Sequence, residues 1–426
     1  MAIPIQSRTR LQIRQAIGVA LGVLKTGTTS STSDTSSLVD TYGLVDGAND
    51  NYRGRQVVIV TPAGSIVAGE KSFVSSSVTT DATCAPVFTA SITILDAYEM
   101  WQIFLAEDIE SLINLAIMEV SSQCFQLKQA TDVFTLEDTY EYAISSFKGL
   151  NKVEYVYSIA VDHLLENCED AWTAGTSVTA TADTAFKKVG TYSAKFVVAA
   201  GAASGATLGY EDITEVDISD ADKIEFWMYS SIALTAGQLQ SMLGATAAIA
   251  SPLETINIPA MDAATWYRLE ISLANPHLDT AIISLGVRQA SGVDVGAFTF
   301  YLDDIHAVLA NSKEYKELNP QHWDVVKGSS PKLMLTAAGK SVIGDNKQLR
   351  LSGYQLPVLL NADATVSEIE PSWLVKRVWL EALRNHAKSP QLTLADRLGV
   401  ADRLAVDVER GRSAIRTQIL PNIRWC

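Results

Sequence analysis

The sequence predicts an α+β host domain, made of mixed helices and antiparallel sheet, that is interrupted by an all-β sandwich. Apolar residues recur with helical spacing near both ends of the chain, whereas the middle alternates apolar and polar residues in short segments separated by turns. The strand-like segments before the sandwich also have no predicted pairing partners near them in the sequence, and similar segments follow only after the sandwich. The predicted domains are the first half of the host (1–163), the sandwich (164–309), and the second half of the host with C-terminal helices (310–426).

Helices follow from stripes of apolar residues at positions i, i+3 and i+4. Residues 8–24 carry one stripe, and residues 109–124 carry another, for which Asp108 is the predicted N-cap. A third stripe runs from 375 to 383, and a last helix is expected at about 392–417. The host is therefore predicted to be helical at its start, at its centre and at its end.

Host strands are predicted wherever the alternation has a period of two. Residues 25–37, rich in Gly, Ser and Thr, are predicted to form a loop or an extended linker. The predicted host strands are 56–60, 72–75, 87–90, 98–103, 140–144, 153–160, 314–318, 322–326, 332–336 and 348–354. The segments at 314–318 and 322–326 are expected to pair with strands that precede the sandwich.

Charge is distributed unevenly along the 426 residues, whose net charge is −15. Residues 162–304 hold 19 acidic and 6 basic side chains, whereas residues 371–426 hold 10 basic and 5 acidic ones. An acidic sandwich would repel phosphates, which argues against a nucleic-acid ligand for it. The basic C-terminal region predicts a contact with a neighbouring subunit or an acidic surface, unless its arginines form an ordinary solvated face. The candidate interface residues are Arg403, Arg410, Arg412, Arg416 and Arg424.

Motifs of catalysis and of metal binding are largely missing. The four cysteines form no CxxC pair and are expected to be buried free thiols, and the five histidines show no metal-ligand spacing. Ala338-Gly339-Lys340-Ser341 lacks the earlier glycine of a phosphate loop, because position 334 is Met. We therefore expect no catalytic residues, no enzymatic activity and no required cofactor.

Membrane and export signals are not predicted either. No apolar run reaches the length of a membrane span, and the N-terminal residues lack the layout of a signal peptide. The expectation is a protein that is assembled in the cytoplasm and does not bind a membrane.

Short motifs within 164–309 follow an order that covers about a third of the chain. They are Glu169-Asp170-Ala171-Trp172, Gly190-Thr191-Tyr192-Ser193-Ala194-Lys195-Phe196, Val216-Asp217-Ile218-Ser219-Asp220, Ile224-Glu225-Phe226-Trp227-Met228-Tyr229, Trp266-Tyr267-Arg268-Leu269-Glu270-Ile271 and Phe298-Thr299-Phe300-Tyr301-Leu302-Asp303-Asp304-Ile305. This order resembles the jelly-roll carbohydrate-binding modules. The resemblance implies a jelly-roll sandwich that binds a glycan.

Strand alternation gives candidate sugar-binding residues. It places Ile224, Phe226 and Met228 on one face of their strand, and Tyr267, Leu269 and Ile271 on one face of another. If the opposite faces line one concave sheet, aromatic rings and polar anchors would together suit the apolar faces and the hydroxyls of a sugar. The candidates are Trp227, Tyr229, Trp266, Arg268 and Arg288. The alternative is that this face is core and that Trp227 is simply buried.

The same resemblance implies a structural calcium ion, held by carboxylates at the two ends of the sandwich. The matching residues are Glu169 and Asp303, whose hard oxygen ligands suit calcium. The alternative is an edge aspartate that caps a turn.

The host carries a second set of short motifs. They are Tyr52-Arg53-Gly54-Arg55-Gln56-Val57-Val58-Ile59, Ala68-Gly69-Glu70-Lys71-Ser72-Phe73-Val74, Leu95-Asp96-Ala97-Tyr98-Glu99, Asn114-Leu115-Ala116, Gln348-Leu349-Arg350-Leu351 and Leu356-Pro357-Val358-Leu359-Leu360-Asn361-Ala362-Asp363. Their order is similar to that in virion structural proteins of tailed bacteriophages, in particular those of the neck. The inserted sandwich departs from that likeness, which does not require it.

The sequence thus predicts a non-enzymatic bacteriophage virion structural protein, a neck component (head-to-tail connector or adaptor) present in several copies. Its partners would be copies of itself in a ring and other virion proteins of the portal, tail or neck, with the sandwich projecting outward. Two alternatives remain open. The chain could be a capsid or tail decoration and adhesion protein that binds host-cell glycans, or a polysaccharide hydrolase with an appended module.

Overall fold

A computed structural model describes residues 8–45, 50–385, 394–415 and 423–425. These residues fall into two compact units, one made of 8–127 and 354–415 and the other of 128–353 and 423–425. Most of the regular structure is antiparallel β-sheet. The α-helices are α1 (Arg10–Leu21), α2 (Ala106–Val120), α3 (Ala337–Ile343), α4 (Pro371–Asn385) and α5 (Leu394–Ile415).

The first unit contains a six-stranded sheet with the order β1-β6-β3-β4-β5-β2. The backbone N–H of Ser30 donates to the carbonyl of Val39, so a hydrogen bond connects the end of the first strand to the opposite edge of the sheet. The sheet therefore curls around its own apolar core, which includes Leu38, Ile59 and Met100. Its strands are β1 (Leu24–Thr28), β2 (Ser37–Val39), β3 (Gln56–Thr61), β4 (Lys71–Val78), β5 (Asp81–Ala85) and β6 (Ala97–Trp101).

Helices α1, α2, α4 and α5 share a second apolar core in the same unit. Thr9 and Gln12 form a capping box at the start of α1, and Gly22, with φ 69°, caps its C-terminus. Helix α2 begins at Ala106, so the prediction that Asp108 is its N-cap is wrong. The Asp108 carboxylate instead accepts the backbone N–H of Leu105, the residue that precedes the helix.

Arg14 of α1 is almost fully buried beside three carboxylates. Its guanidinium lies 3.0 Å from Glu99 and 2.8 Å from Asp363, and it also pairs with Glu110. A buried cation is tolerated only when it is paired and hydrogen-bonded, and the Asp363 and Glu99 carboxylates meet that requirement. The pairs join a helix, a sheet strand and a loop of the same unit.

The second unit contains most of β7 (Gln126–Phe134), followed by β8 (Glu141–Ala143) and β9 (Gly149–Ile159), and these three strands precede the sandwich.

The sandwich has two facing sheets. One has the order β12-β13-β20-β15-β18, with β10 also paired to β20, and the other has the order β11-β14-β19-β16-β17. The residues between them form the largest core of the unit, in which the rings of Phe196 and Phe300 stack 4.5 Å apart. Its strands are β10 (Asp162–Glu166), β11 (Thr173–Ala174), β12 (Val178–Asp183), β13 (Ser193–Val198), β14 (Thr207–Val216), β15 (Lys223–Ser230), β16 (Leu239–Gly244), β17 (Pro252–Asn257), β18 (Thr265–Ser272), β19 (Ile282–Gln289) and β20 (Phe298–Val308).

Strands that follow the sandwich pair with those that precede it. Lys313 lies opposite Ile159 and Glu317 lies opposite Glu154, which confirms the predicted pairing of segment 314–318. Segment 322–326 instead pairs with residues 332–335, which also follow the sandwich, so its predicted pairing with an earlier strand is wrong. The two sheets so formed have the orders β21-β9-β24-β7, with β25 also on β9, and β22-β23-β8. The later strands are β21 (Lys313–Glu317), β22 (Trp323–Val326), β23 (Lys332–Leu335), β24 (Gln348–Gln355) and β25 (Arg424–Trp425).

Two local predictions are wrong. Residues 87–90 form no strand, and the predicted loop at 25–37 contains β1 and the start of β2. Cys84 and Cys168 are confirmed as buried free thiols. Cys124 is also buried, and its Sγ donates to the carbonyl of Ile415, whereas Cys426 lies outside the described residues. The single α+β host domain and its boundaries stay a prediction.

Candidate functional site

Strands β15 and β18 lie side by side on the first sheet of the sandwich. Trp227 is directly opposite Arg268, and Tyr229 is opposite Trp266. On the other side of β15, Tyr229 is opposite Tyr301 of β20. The alternate residues Ile224, Phe226, Met228 and Leu269 belong to the core between the sheets. The predicted division of these two strands into an inward and an outward face is confirmed.

An aromatic cluster covers the outward face. We use this name for Tyr229, Trp266 and Tyr301 together with Phe186, which comes from the loop between β12 and β13. The Phe186 ring centroid lies 4.6 Å from Tyr229, 5.5 Å from Trp266 and 4.8 Å from Tyr301. The candidate sugar-binding face is thus partly covered by Phe186, a residue that strand alternation did not identify. An aromatic side chain in the turn-rich segment 184–192 was the available signal.

Three carboxylates hold the loop that carries Phe186. Asp183 accepts the backbone N–H groups of residues 185 and 186, Asp303 accepts those of 188 and 189, and Glu169 accepts those of 191 and 192. Hydrogen bonds from backbone N–H groups to a carboxylate are charge-assisted and therefore strong. We call residues 184–192 the carboxylate-held loop.

Glu169 and Asp303 are the two residues that the resemblance assigns to calcium. Burial, together with the charges of Asp304 and Glu169, raises the pKa of Asp303 to about 7 despite its two backbone donors. One Asp303 oxygen, Oδ1, is buried without a donor, which suits a cation. Two carboxylates supply at most four of the six to eight oxygens that calcium takes. Within the described residues, no group of three or more His, Cys, Asp or Glu side chains is arranged for a metal, so calcium stays a prediction.

A cleft of about 480 Å³ opens beside the aromatic cluster. Trp227 and Trp266 line it from the sandwich, and Phe134 of β7 lines it from the neighbouring sheet. The rings of Phe134 and Trp227 meet edge to face at 5.5 Å. The cleft thus combines apolar rings with polar side chains, as ligand sites do. Its other lining residues are Thr131, Asp132, Tyr267, Arg268, Glu270 and Gln348.

Trp227 is only 7% exposed. Its indole Nε1 donates to Oδ1 of Asn346 at 3.2 Å, and Phe134 covers part of its ring. The alternative that Trp227 is buried therefore describes most of this side chain, and Trp266 is the more accessible indole of the cleft.

Arg268 is engaged within the protein. Its Nη1 lies 2.9 Å from the Asp304 carboxylate, which also accepts from Asn346 and from His306. Burial favours neutral Asp304, but the hydrogen bond with His306 and the charge of Arg268 lower its pKa to about 2. Burial likewise opposes protonation of His306, yet its hydrogen bonds with Asp162 and Asp304 raise its pKa to about 9. Arg268 is thus part of a buried ion-pair network, and its charge is already neutralised.

Arg288 does not join the other candidates. It lies on β19, in the second sheet of the sandwich, and its Nε donates to Gln240 at 2.8 Å. Its outward face is therefore on the opposite side of the sandwich from Trp266. The prediction that Arg288 shares the candidate sugar-binding face is wrong.

The candidate interface arginines are dispersed. Arg403 and Arg410 are exposed on α5, and Arg412 lies 3.8 Å from Glu119. Arg424 belongs to a strand rather than to the helix, where it stacks 4.5 Å from the Trp323 ring and pairs with Asp324. Arg416 lies outside the described residues. Arg424 therefore lies outside the last helix, and the interface role of these arginines stays a prediction.

No helix in the described parts of the chain is both long and apolar enough to cross a membrane.

Comparisons with known proteins give structural matches only. No family model and no curated protein matches the chain. A family 11 carbohydrate-binding module from Clostridium thermocellum, in complex with a β-1,3-1,4-mixed-linked tetrasaccharide, is 13% identical; the match covers 36% of this chain and 98% of the module, with a TM-score of 0.27. The K2 cleaved adhesin domain of Lys-gingipain is also 13% identical, with 35% and 100% covered and a TM-score of 0.25.

A third match is to the CBM22-1–GH10 modules of Clostridium thermocellum xylanase 10B in complex with xylohexaose. It is 15% identical, covers 37% of this chain and 29% of that one, and has a TM-score of 0.23. At such scores the function of the sandwich has to be argued from its own residues.

Proposed function

We propose that the chain is a non-enzymatic structural protein of a tailed-phage virion, and that its sandwich binds glycans of the host-cell surface. The observation that carries the glycan-binding part is the cleft beside Trp266. Its volume of about 480 Å³ is within the usual range of small-ligand sites, which is roughly 300–1,000 Å³.

The chemistry of the cleft suits a sugar ring. Indole faces pack against the C–H face of a sugar, and Trp266 and Trp227 supply two indoles. Asp132, Glu270 and Gln348 place carboxylate and amide groups among the lining residues, where hydroxyls can hydrogen-bond. Apolar stacking with a few polar groups fixes the orientation of a ligand without any catalytic step.

Binding of a glycan array by the purified full-length chain tests this proposal. Trp266→Ala is expected to lower the affinity for the bound glycans at least tenfold, because it removes the accessible stacking face. Tyr157→Ala is the matched control, since Tyr157 is an exposed aromatic residue of β9 that does not line the cleft. Circular dichroism checks that both variants fold. If both variants still bind the glycans, or if both lose binding, the cleft is excluded as the site.

A second candidate role is a ring component of the virion neck that contacts copies of itself and the portal or tail. The observation that favours it is the exposure of apolar side chains in loops of the first unit, where Val67 is 62%, Val87 60% and Leu95 67% exposed. Exposed apolar side chains mark protein interfaces when they form a patch. Closed rings arise from head-to-tail contacts between such surfaces.

Mass photometry and electron microscopy of the full-length chain test the ring. We expect closed rings of the wild type and monomers of a Val67→Asp, Leu95→Asp double variant. Two results together would favour the adhesion role over the neck. The wild type would be monomeric at all concentrations, and labelling would locate it on the capsid or the tail tip of the virion. The expected location in either case is the virion, after assembly in the host-cell cytoplasm.

A further inference from the structure

A lysine of the carboxylate-held loop lies over two aromatic rings of the cleft without forming an ion pair, although it is not itself a lining residue. The ammonium of Lys188 is 5.5 Å from the Trp227 ring centroid and 5.9 Å from that of Trp266, and both rings line the cleft. Within the described part of the chain, no carboxylate oxygen lies within 4.0 Å of this nitrogen. Burial lowers the pKa of Lys188, although the charge of Asp303 opposes this effect. The ammonium has thus lost hydration without gaining a paired anion.

Two of the three charged residues that line the cleft are already compensated. Arg268 is paired with Asp304, as described above. Glu270 lies 3.0 Å from the ammonium of Lys313 and 3.4 Å from that of Lys223. Among the lining residues this leaves Asp132 as an exposed carboxylate, whose repulsion is screened by water and salt. An anion placed beside Lys188 would therefore meet one uncompensated cation.

We propose that the cleft selects saccharides that carry a carboxylate, such as uronic acids. This inference rests on the proposed glycan binding. The sugar ring would stack on Trp266 while its carboxylate accepts a charge-assisted hydrogen bond from Lys188. The aromatic rings around the ammonium exclude part of the water, which strengthens an ion pair relative to one at an open surface.

The experiment uses the full-length chain and matched pairs of ligands. Oligosaccharides of polygalacturonate, alginate and hyaluronan are each compared with their methyl esters by isothermal titration calorimetry. The ester keeps the ring and its stacking face but removes the charge. The acid is expected to bind about tenfold more tightly than its ester, and the preference is expected to shrink at high salt.

Two variants of neighbouring lysines isolate the role of the site. Lys188→Gln is expected to abolish the preference for the acid while retaining binding of the ester. Lys187→Gln removes the same charge from the same loop, but the Lys187 ammonium donates to the carbonyl of Gly190. It is expected to keep the preference. If both variants change the preference for the acid by the same amount, the preference depends on net charge alone and the inference is overturned.

The remaining outcomes separate this inference from the function on which it rests. Two outcomes would show that the cleft binds glycans but does not select a carboxylate. In one, the wild type binds the acids and their esters equally well. In the other, it binds only neutral glycans, and Trp266 is required for that binding. If neither acidic nor neutral glycans bind, the proposed function itself fails.

Discussion

Asp279 is fully buried in the sandwich, in the turn between β18 and β19, and we expect Asp279→Asn to stabilise the protein at neutral pH. As a carboxylate, Asp279 has no hydrogen-bond donor on either oxygen. As an acid, it can donate its proton to the neighbouring Glu254 carboxylate, which already accepts the backbone N–H groups of Ala274 and Asn275. Burial, followed by the charge of Glu254 and a hydrogen bond with it, raises the pKa of Asp279 to about 7 from 3.8.

The magnitude follows from the two pKa values. The folded chain holds this proton more tightly than the unfolded chain, so the stability from Asp279 is complete below pH 3.8 and is lost as the pH rises through about 7. A tenfold change in proton affinity is worth about 1.4 kcal/mol. Ionised Asp279 therefore costs roughly 4 kcal/mol of folding free energy above pH 8, and about 2.5 kcal/mol of this cost develops between pH 5 and pH 8.

Asparagine keeps the shape of the side chain, carries no charge and can donate to Glu254. The assay is urea unfolding of the full-length chain at pH 5, 6, 7 and 8, followed by circular dichroism. The stability of Asp279→Asn relative to the wild type should rise by about 2.5 kcal/mol across this range. Asp294→Asn removes an exposed carboxylate from the same sandwich and controls for the change in net charge. A difference that stays constant from pH 5 to pH 8 would refute the reasoning.

Three further predictions concern other buried charges. His306→Gln should destabilise the chain by about 1–3 kcal/mol at pH 6, because charged His306 pairs with Asp304. This loss of stability should disappear as the pH rises through about 9, the raised pKa of His306. Unfolding curves of both proteins at pH 6 and pH 10 measure the difference. Calcium added after dialysis against EDTA should raise Tm by about 2–4 °C if Asp303 binds it, and Asp303→Asn should abolish the rise; an unchanged wild-type Tm would contradict the calcium site. Arg14→Met should cost about 3–5 kcal/mol, because it leaves buried Glu99 unpaired, and a double variant with Glu99→Gln should recover part of this loss.

Patterns with a local cause were predictable from the sequence. The inward and outward faces of β15 and β18 follow from the period of two, and helix α1 follows from the spacing of its apolar residues. Features with a distant cause were not predictable. Helix α2 starts at Ala106, whose backbone N–H is accepted by the side chain of Gln56, 50 residues earlier. A search for local capping residues therefore chose Asp108, three positions after the N-cap residue Leu105.

The candidate site shows the same limit. Arg288 and Trp266 both point outward from their strands, but alternation does not say to which sheet a strand belongs. Long-range pairing places β19 in the second sheet, on the other side of the sandwich. Likewise, Trp227 is covered by Phe134, and the Tyr229 ring is covered by Phe186 from a loop. Pairing between distant strands and the path of a loop leave no periodic signal in a sequence.

The carboxylate-held loop has a consequence for how its sequence can vary. Its conformation depends on backbone N–H groups held by Asp183, Asp303 and Glu169, and every amino acid except proline has such a group. Gly190 is constrained, because its φ is 64° and a Cβ atom there would lie 1.8 Å from the Glu169 carboxylate. Phe186 is constrained as well, because its ring packs against three others. Positions 185 and 187 to 189 should therefore accept many side chains on one backbone, so that relatives could present different groups beside the cleft without refolding the loop. In a library of loop variants, proline and substitutions of Gly190 should be depleted first.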